Sequence, residues 1–118
     1  MRLAYLLFAC GIVALGVVHM AATFLSFDTA SSAALWFFSG GIAMVLTGVL
    51  NLLNRAYGGV APGVRVASVG ANVAMTVFAV VAGLIGRASP WSFAIIVGLV
   101  GGTTVLSLIR RSSSRHTA

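Results

Sequence analysis

Acidic residues are almost absent from this sequence. Asp28 is the only one among the 118 residues, and there is no glutamate. One aspartate cannot supply the paired carboxylates that general acid–base enzymes and many metal sites require. The histidines, the cysteine and Asp28 show no metal-ligand spacing, and no glycine-rich phosphate loop follows a strand. We therefore assign no catalytic residue and no metal site, and the sequence favours a non-catalytic protein over an enzyme.

Histidine and cysteine are scarce as well. Cys10 is the only cysteine, so no disulfide can form within the chain. At helical spacing Cys10 lies about 180° around the helix from His19, so the two cannot share a metal ion within one subunit. The other histidine, His116, lies in the polar C-terminal stretch. Haem held by two histidines would therefore need two subunits.

Lysine is missing, so all the basic side chains are arginines. Only Arg87 lies outside the two terminal regions and the middle connection. The other six are Arg2, Arg55, Arg65, Arg110, Arg111 and Arg115. This bias predicts a bacterial inner-membrane protein with its N-terminus and C-terminus in the cytoplasm. The net charge of +6 would suggest nucleic acid as the partner of a soluble protein, but here we expect the lipid bilayer instead.

Apolar residues, by contrast, are abundant. They make up 60% of the chain, and the mean hydropathy is +1.12. A spanning helix needs about 20 apolar residues, and the chain has four such segments. We predict an all-α integral membrane protein, a single up-down-up-down bundle of four transmembrane helices. The predicted helices cover residues 3–24, 33–54, 64–85 and 91–109, and residues 110–118 form a basic cytoplasmic tail. The first segment is interpreted as a helix rather than a secretory signal.

The segment over residues 33–55 has two unlike faces. Small and polar side chains, preceded by Trp36, fall within an arc of about 80°, and leucine, isoleucine and valine occupy the opposite side. Such a helix is expected to turn its small and polar side toward protein and its aliphatic side toward lipid. The other three segments show a similar pattern, and on the first one Tyr5 shares the side of His19.

An ionisable side chain within a membrane often marks a functional site, and His19 is the candidate here. We predict an outer-half pocket formed by His19, Thr23, Trp36, Gly40, Ala79, Ala94 and Gly98. His19 is either a neutral histidine hydrogen-bonded across the bundle or a functional proton carrier, ligand contact or haem ligand. A small hydrophobic ligand near His19 and Trp36 is one hypothesis, and haem or quinone are the only cofactors considered.

A second group of polar residues is expected in the inner half. We predict an inner polar cluster of Asn51, Asn54, Arg65, Ser68, Asn72 and Thr103. Amides in hydrocarbon need hydrogen-bond partners, so this cluster is either a structural link between helices or the inner end of a polar path. In the second case Thr47 and Thr76 would connect the cluster to His19 and Asp28.

The fourth segment carries a row of small residues. The row consists of Ala94, Gly98, Gly101 and Gly102, and such spacing lets helix backbones approach closely. We therefore predict that this row is a helix-packing surface inside the bundle.

Three segments resemble the DoxX-like group of small four-helix bacterial membrane proteins. The resemblance lies in residues 16–19 (GVVH), in residues 39–41 (SGG) with Gly48, and in residues 70–75 (GANVAM). It implies an accessory inner-membrane protein, some of whose relatives sit beside redox enzymes. The acidic residue common in that group's second helix is absent, since Ala43 and Met44 stand there, which weakens the case for a quinone-linked or redox role.

Three functional hypotheses follow from the sequence. The first is a non-catalytic accessory or ligand-holding membrane protein that assembles with itself or joins a membrane protein partner. The second is a small oligomeric transporter or channel for a proton, a small anion or a small polar solute. The third, a quinone- or haem-linked redox subunit, rests on analogy alone.

Overall fold

The fold was analysed in a computed structural model, which describes residues 2–86 and 89–113. Within these ranges the chain forms four α-helices, α1 (Arg2–Ser26), α2 (Ser32–Tyr57), α3 (Pro62–Ile85) and α4 (Pro90–Ser113). The prediction of an all-α protein with four helices is confirmed. By length and composition, each helix is apolar enough to cross a membrane.

All four helices are longer than the sequence pattern predicts, and the largest extensions are at the ends of α2 and α4. α2 continues past Asn54 to Tyr57, and α4 continues past Ile109 to Ser113. The extensions contain arginine and alanine, which favour helix, so helical structure extends beyond the apolar segment itself. The first four residues of the predicted tail are therefore helical, and residues 114–118 lie outside the described part of the chain.

The helix ends follow ordinary capping chemistry. The Ser31 hydroxyl accepts a hydrogen bond from the Ala34 amide at 3.1 Å, which caps the start of α2. Pro62 and Pro90 are the first residues of α3 and α4, where a missing amide hydrogen costs nothing. These caps keep the connections short, so consecutive helices pack against each other.

Residue numbers run in opposite directions across each pair of neighbouring helices. Tyr5 near the start of α1 hydrogen-bonds Asn51 near the end of α2, whereas Gly16 lies against Gly41. The other pairs show the same reversal, through Asn51–Asn72 and Gly58–Arg65 between α2 and α3, Thr76–Thr104 and Gly83–Phe93 between α3 and α4, and Phe8–Gly102 and Gly11–Leu99 between α1 and α4.

These contacts bring the start of α1, the end of α2, the start of α3 and the end of α4 to one end of the bundle. We call it the arginine end, because its helix segments contain Arg2, Arg55, Arg65, Arg110 and Arg111. The connection that holds Asp28 joins α1 to α2 at the opposite end, which we call the Asp28 end.

Glycine allows α1 and α2 to pack with their backbones in contact. A Cβ atom added at Gly41 would lie 2.8 Å from the Gly16 carbonyl oxygen, and one added at Gly16 would lie 2.8 Å from the Gly41 carbonyl oxygen. Gly48 repeats this arrangement two turns later, since a Cβ atom added there would lie 2.9 Å from the Ala9 carbonyl oxygen. Backbone atoms cannot swing aside as side chains can, so these three positions require glycine at this helix separation.

The centre of the bundle is apolar. Ile12, Met44, Met75 and Val100, one from each helix, form a buried cluster that we call the apolar layer. Ile12 and Val100 are fully buried within the chain. The layer fills the space between the polar residues of the arginine end and those of the Asp28 end.

The close contact of α1 and α2 predicts opposite effects for two glycine substitutions. Gly41→Ala should destabilise the protein by about 1–3 kcal/mol, since the new methyl group overlaps a backbone oxygen. Gly70→Ala, on a helix surface with nothing within 4 Å, should be neutral or stabilising by up to about 1 kcal/mol. Unfolding in mixed detergent micelles, followed by far-UV circular dichroism, measures both. Equal stability of the two variants would contradict backbone contact at Gly41.

Candidate functional site

Two buried asparagines form the centre of the polar site. Nδ2 of Asn51 donates to Oδ1 of Asn72 at 2.6 Å, and Nδ2 of Asn72 donates to Oδ1 of Asn51 at 2.9 Å. Both side chains are completely buried. The two amides thus satisfy each other in a reciprocal pair that joins α2 to α3.

Further side chains converge on the same amide oxygen. Oδ1 of Asn51 also accepts from the Tyr5 hydroxyl at 2.7 Å and from the Ser68 hydroxyl at 3.0 Å. Nδ2 of Asn54 donates to the Tyr5 oxygen at 3.0 Å. We call this group, Tyr5, Asn51, Asn54, Ser68 and Asn72, the amide cluster. It connects three helices through side chains alone.

The local sequence explains why these residues meet. Asn51 and Asn54 lie one turn apart on α2, as do Ser68 and Asn72 on α3, so each pair projects from one face of its helix. The second donor position of Asn51 bonds the Thr47 carbonyl at 2.8 Å. In the described part of the chain, no buried side-chain nitrogen or oxygen lacks a hydrogen-bond partner. Each buried nitrogen and oxygen of these side chains therefore has at least one partner within the bundle.

Two members of the predicted inner polar cluster lie outside the amide cluster. The Arg65 guanidinium turns to the loop and donates from Nε and Nη2 to the Gly58 carbonyl oxygen, at 3.1 and 2.8 Å. Thr103 is buried, but its hydroxyl donates to the Leu99 carbonyl of its own helix. Arg65 lies in the first turn of α3, so its side chain reaches the carbonyl of the loop more easily than the amide cluster inside the bundle.

Tyr5 is the residue that the predicted cluster omitted. Its place at the start of α1, on the side of His19, was the available signal, because the start of one helix meets the end of the next in an antiparallel pair. The phenolic oxygen both donates to Asn51 and accepts from Asn54. This makes Tyr5 a bridge between the two asparagines of α2.

The two predicted link residues bond mainly to their own helices. Thr47 donates to the Ala43 carbonyl, and Thr76 donates to the Asn72 carbonyl. Thr76 also lies 3.2 Å from the Thr104 hydroxyl on α4. Met44 of the apolar layer lies one turn beyond Thr47 toward the Asp28 end, and Met75 of that layer directly precedes Thr76. Within the described chain, the expected polar path is therefore interrupted by buried aliphatic and thioether side chains.

His19 is held against an aromatic ring rather than in an open space. Its imidazole stacks on the Phe37 ring, with the ring centroids 3.9 Å apart. Phe27 packs against the other aromatic partner of this stack, Phe37, at a centroid distance of 5.8 Å. A Cβ atom at Gly40 would lie 3.5 Å from Nε2 of His19, so this glycine does border the imidazole. Buried Thr23 donates to the His19 carbonyl at 3.3 Å.

The remaining residues of the predicted outer pocket do not assemble around His19. Trp36 is 76% exposed. At this level of α2 it is the neighbouring Phe37 that points toward α1, where it stacks on His19. Ala94 and Gly98 lie on the outer surface of α4, and nothing comes within 4 Å of a Cβ atom at Gly98. Ala79 is buried, but on α3, with no ring or hydrogen-bond contact to the imidazole among those described.

The orientation of α4 accounts for this correction. Its buried residues are Val100, Thr103 and Ser107. Gly98 and Val100 are two residues apart, which places them about 160° apart around the helix. The predicted packing row thus points away from the bundle over most of its length, and only Gly102 contacts another helix, through Phe8 of α1.

No metal site is found, since no group of three histidine, cysteine or acidic side chains comes together in residues 2–86 and 89–113. Comparison with protein-family models, with curated proteins and with solved structures returned no match for this chain.

The number of bonds at each asparagine predicts the order of two stability effects. Asn51→Ala should cost about 2 kcal/mol, because Asn51 takes part in five hydrogen bonds and its loss leaves Asn72, Ser68 and Tyr5 without their acceptor. Asn54→Ala removes one bond and should cost about 0.6 kcal/mol. Detergent unfolding of both variants tests the order, and a larger loss for Asn54→Ala would contradict Asn51 as the centre.

Proposed function

We propose that this chain is a multi-pass protein of the bacterial inner membrane that works by lateral assembly. In this proposal an up-down-up-down bundle with both termini in the cytoplasm binds a second copy or another membrane protein through the outer face of α4. It acts as a non-catalytic accessory subunit, in keeping with the resemblance to DoxX-like proteins.

The distribution of exposed side chains supports membrane insertion. Large apolar residues are exposed on all four helices, including Leu7, Leu46, Val77 and Ile95. In water such a surface would aggregate, whereas hydrocarbon solvates it. Trp36 and Trp91 are 76% and 81% exposed at the Asp28 end, where indole rings suit the membrane–water interface.

The interior of the bundle favours a structural protein over a conducting one. The side chains of the amide cluster hydrogen-bond to one another, and the apolar layer lies between the cluster and His19. A proton or small solute would need a continuous line of polar groups or water. Phe37 also covers one face of the His19 ring, so a ligand there would have to displace it.

The outer face of α4 carries the proposal. Ala94, Gly98 and Gly101 lie on consecutive turns, and nothing lies within 4 Å of a Cβ atom at either glycine. Side chains this small leave the backbone uncovered, and lipid tails gain little by packing there. A second helix can approach such a surface closely, and that is how many membrane helices associate.

Assembly through α4 predicts different outcomes for two leucine substitutions. Gly98→Leu should reduce recovery of a differently tagged copy, or of a partner protein, about tenfold in a mild-detergent pull-down, a loss of about 1.4 kcal/mol. Gly70→Leu is the matched control, since that glycine is equally open on α3. Both changes favour helix, so neither should unfold the protein. A monomer without partner, or indifference to Gly98→Leu, would contradict the proposal.

The membrane orientation has a separate test. Reporter domains fused at the two ends should both be active in the cytoplasm, because the proposed orientation, which the arginine bias supports, puts the arginine end there. Adding an arginine pair to the connection at Asp28 should weaken this preference. Reporters found on opposite sides of the membrane would contradict the proposed topology.

A further inference from the structure

We propose that the connection between α2 and α3 binds the phosphate group of an anionic phospholipid, with Arg65 as the contact and the nearby Arg55 adding positive charge. The inference goes beyond assembly through α4, and it depends only on the membrane orientation proposed above. The site lies at the arginine end, on the α2–α3 side of the bundle.

Charge is strongly segregated along the bundle. The helix segments at the arginine end hold Arg2, Arg55, Arg65, Arg110 and Arg111. The only acidic side chain of the sequence, Asp28, belongs to the opposite end. The one acidic residue of the sequence therefore lies at the far end of the bundle from Arg65. An anionic leaflet is the complementary surface available to a membrane protein.

Arg65 has a geometry suited to phosphate. The Gly58 carbonyl oxygen accepts from both its Nε and its Nη2, which fixes the plane of the guanidinium beside the loop. A guanidinium has five N–H donors, so three remain for another acceptor. A charged group held in place loses less freedom on binding than a free surface arginine would.

The surroundings of this connection favour a lipid over a soluble anion. Tyr57 and Val60 are 57% and 84% exposed on either side of Gly58. An aromatic ring with a polar tip and an aliphatic side chain at this level would contact the glycerol and upper acyl region of a lipid whose phosphate reaches Arg65. Arg55, in the last turn of α2, supplies a second positive charge one turn before Gly58.

The test measures which lipids stay bound to the full chain. The protein is reconstituted into bilayers of phosphatidylcholine and phosphatidylglycerol, extracted in mild detergent and analysed by native mass spectrometry. Wild type should retain phosphatidylglycerol in excess of its bulk fraction. Arg65→Gln should lower this enrichment about fivefold, the effect expected for one arginine at a membrane surface. Inorganic phosphate, added at matched ionic strength, should not displace the lipid.

Matched variants separate the site from net charge. Arg87→Gln removes the same charge from the α3–α4 connection and should leave the enrichment unchanged. Arg65→Lys keeps the charge but cannot bond Gly58 through two N–H groups in one plane, so it should give an intermediate value. Circular dichroism and the α4 pull-down, run on each variant, monitor folding and assembly independently.

The proposal is overturned if wild type shows no preference for phosphatidylglycerol, if Arg65→Gln retains the full enrichment, or if Arg87→Gln reduces it equally. Displacement by inorganic phosphate would also overturn it, since the site would then be an anion site rather than a lipid site. If wild type shows no enrichment while the α4 pull-down is intact, the lipid site alone is refuted and assembly through α4 stands.

Discussion

The reciprocal hydrogen bonds of Asn51 and Asn72 are the interaction on which the arrangement of the helices depends. An amide buried among apolar side chains is costly unless all its donors and acceptors are satisfied. Here Oδ1 of Asn51 accepts hydrogen bonds from Tyr5 on α1 and from Ser68 and Asn72 on α3. Rotation or sliding of α2 would break several of these bonds together. The cluster therefore fixes the rotation of α1, α2 and α3 relative to one another, which nonspecific apolar contacts alone would leave loosely defined.

The rest of the bundle is built outward from that constraint. Once Asn51 meets Tyr5, the antiparallel register of α1 and α2 brings Gly16 against Gly41 and closes the backbones on each other. The apolar layer then fills the level above the amide cluster, and α4 joins through Thr104 and through Gly102. As a result, the side chains of the amide cluster bond to one another, and the exposed surface of the described helices is largely apolar.

The sequence predicted the helices well and the site only in part. Hydropathy locates the four helices because it depends on single segments of the chain. Asn51, Asn54, Ser68 and Asn72 could be grouped because amides in hydrocarbon must find each other. The direction of the α4 row could not be obtained this way, since glycine suits a helix contact inside the bundle as well as one outside. Only the position of Val100 and Thr103 against the other helices decides it, and that depends on packing across the whole fold.

The central claim is that the amide cluster holds α1, α2 and α3 together rather than forming part of a polar path for a proton or a small solute. Solid-state NMR of the protein in lipid bilayers, with labelled asparagine, tests it most directly. The account predicts a through-space correlation between the side-chain nitrogen of Asn51 and the side-chain carbonyl carbon of Asn72, with slow exchange of both amides against heavy water. No correlation, together with rapid exchange of the Asn51 amide, would show a hydrated site and contradict the account.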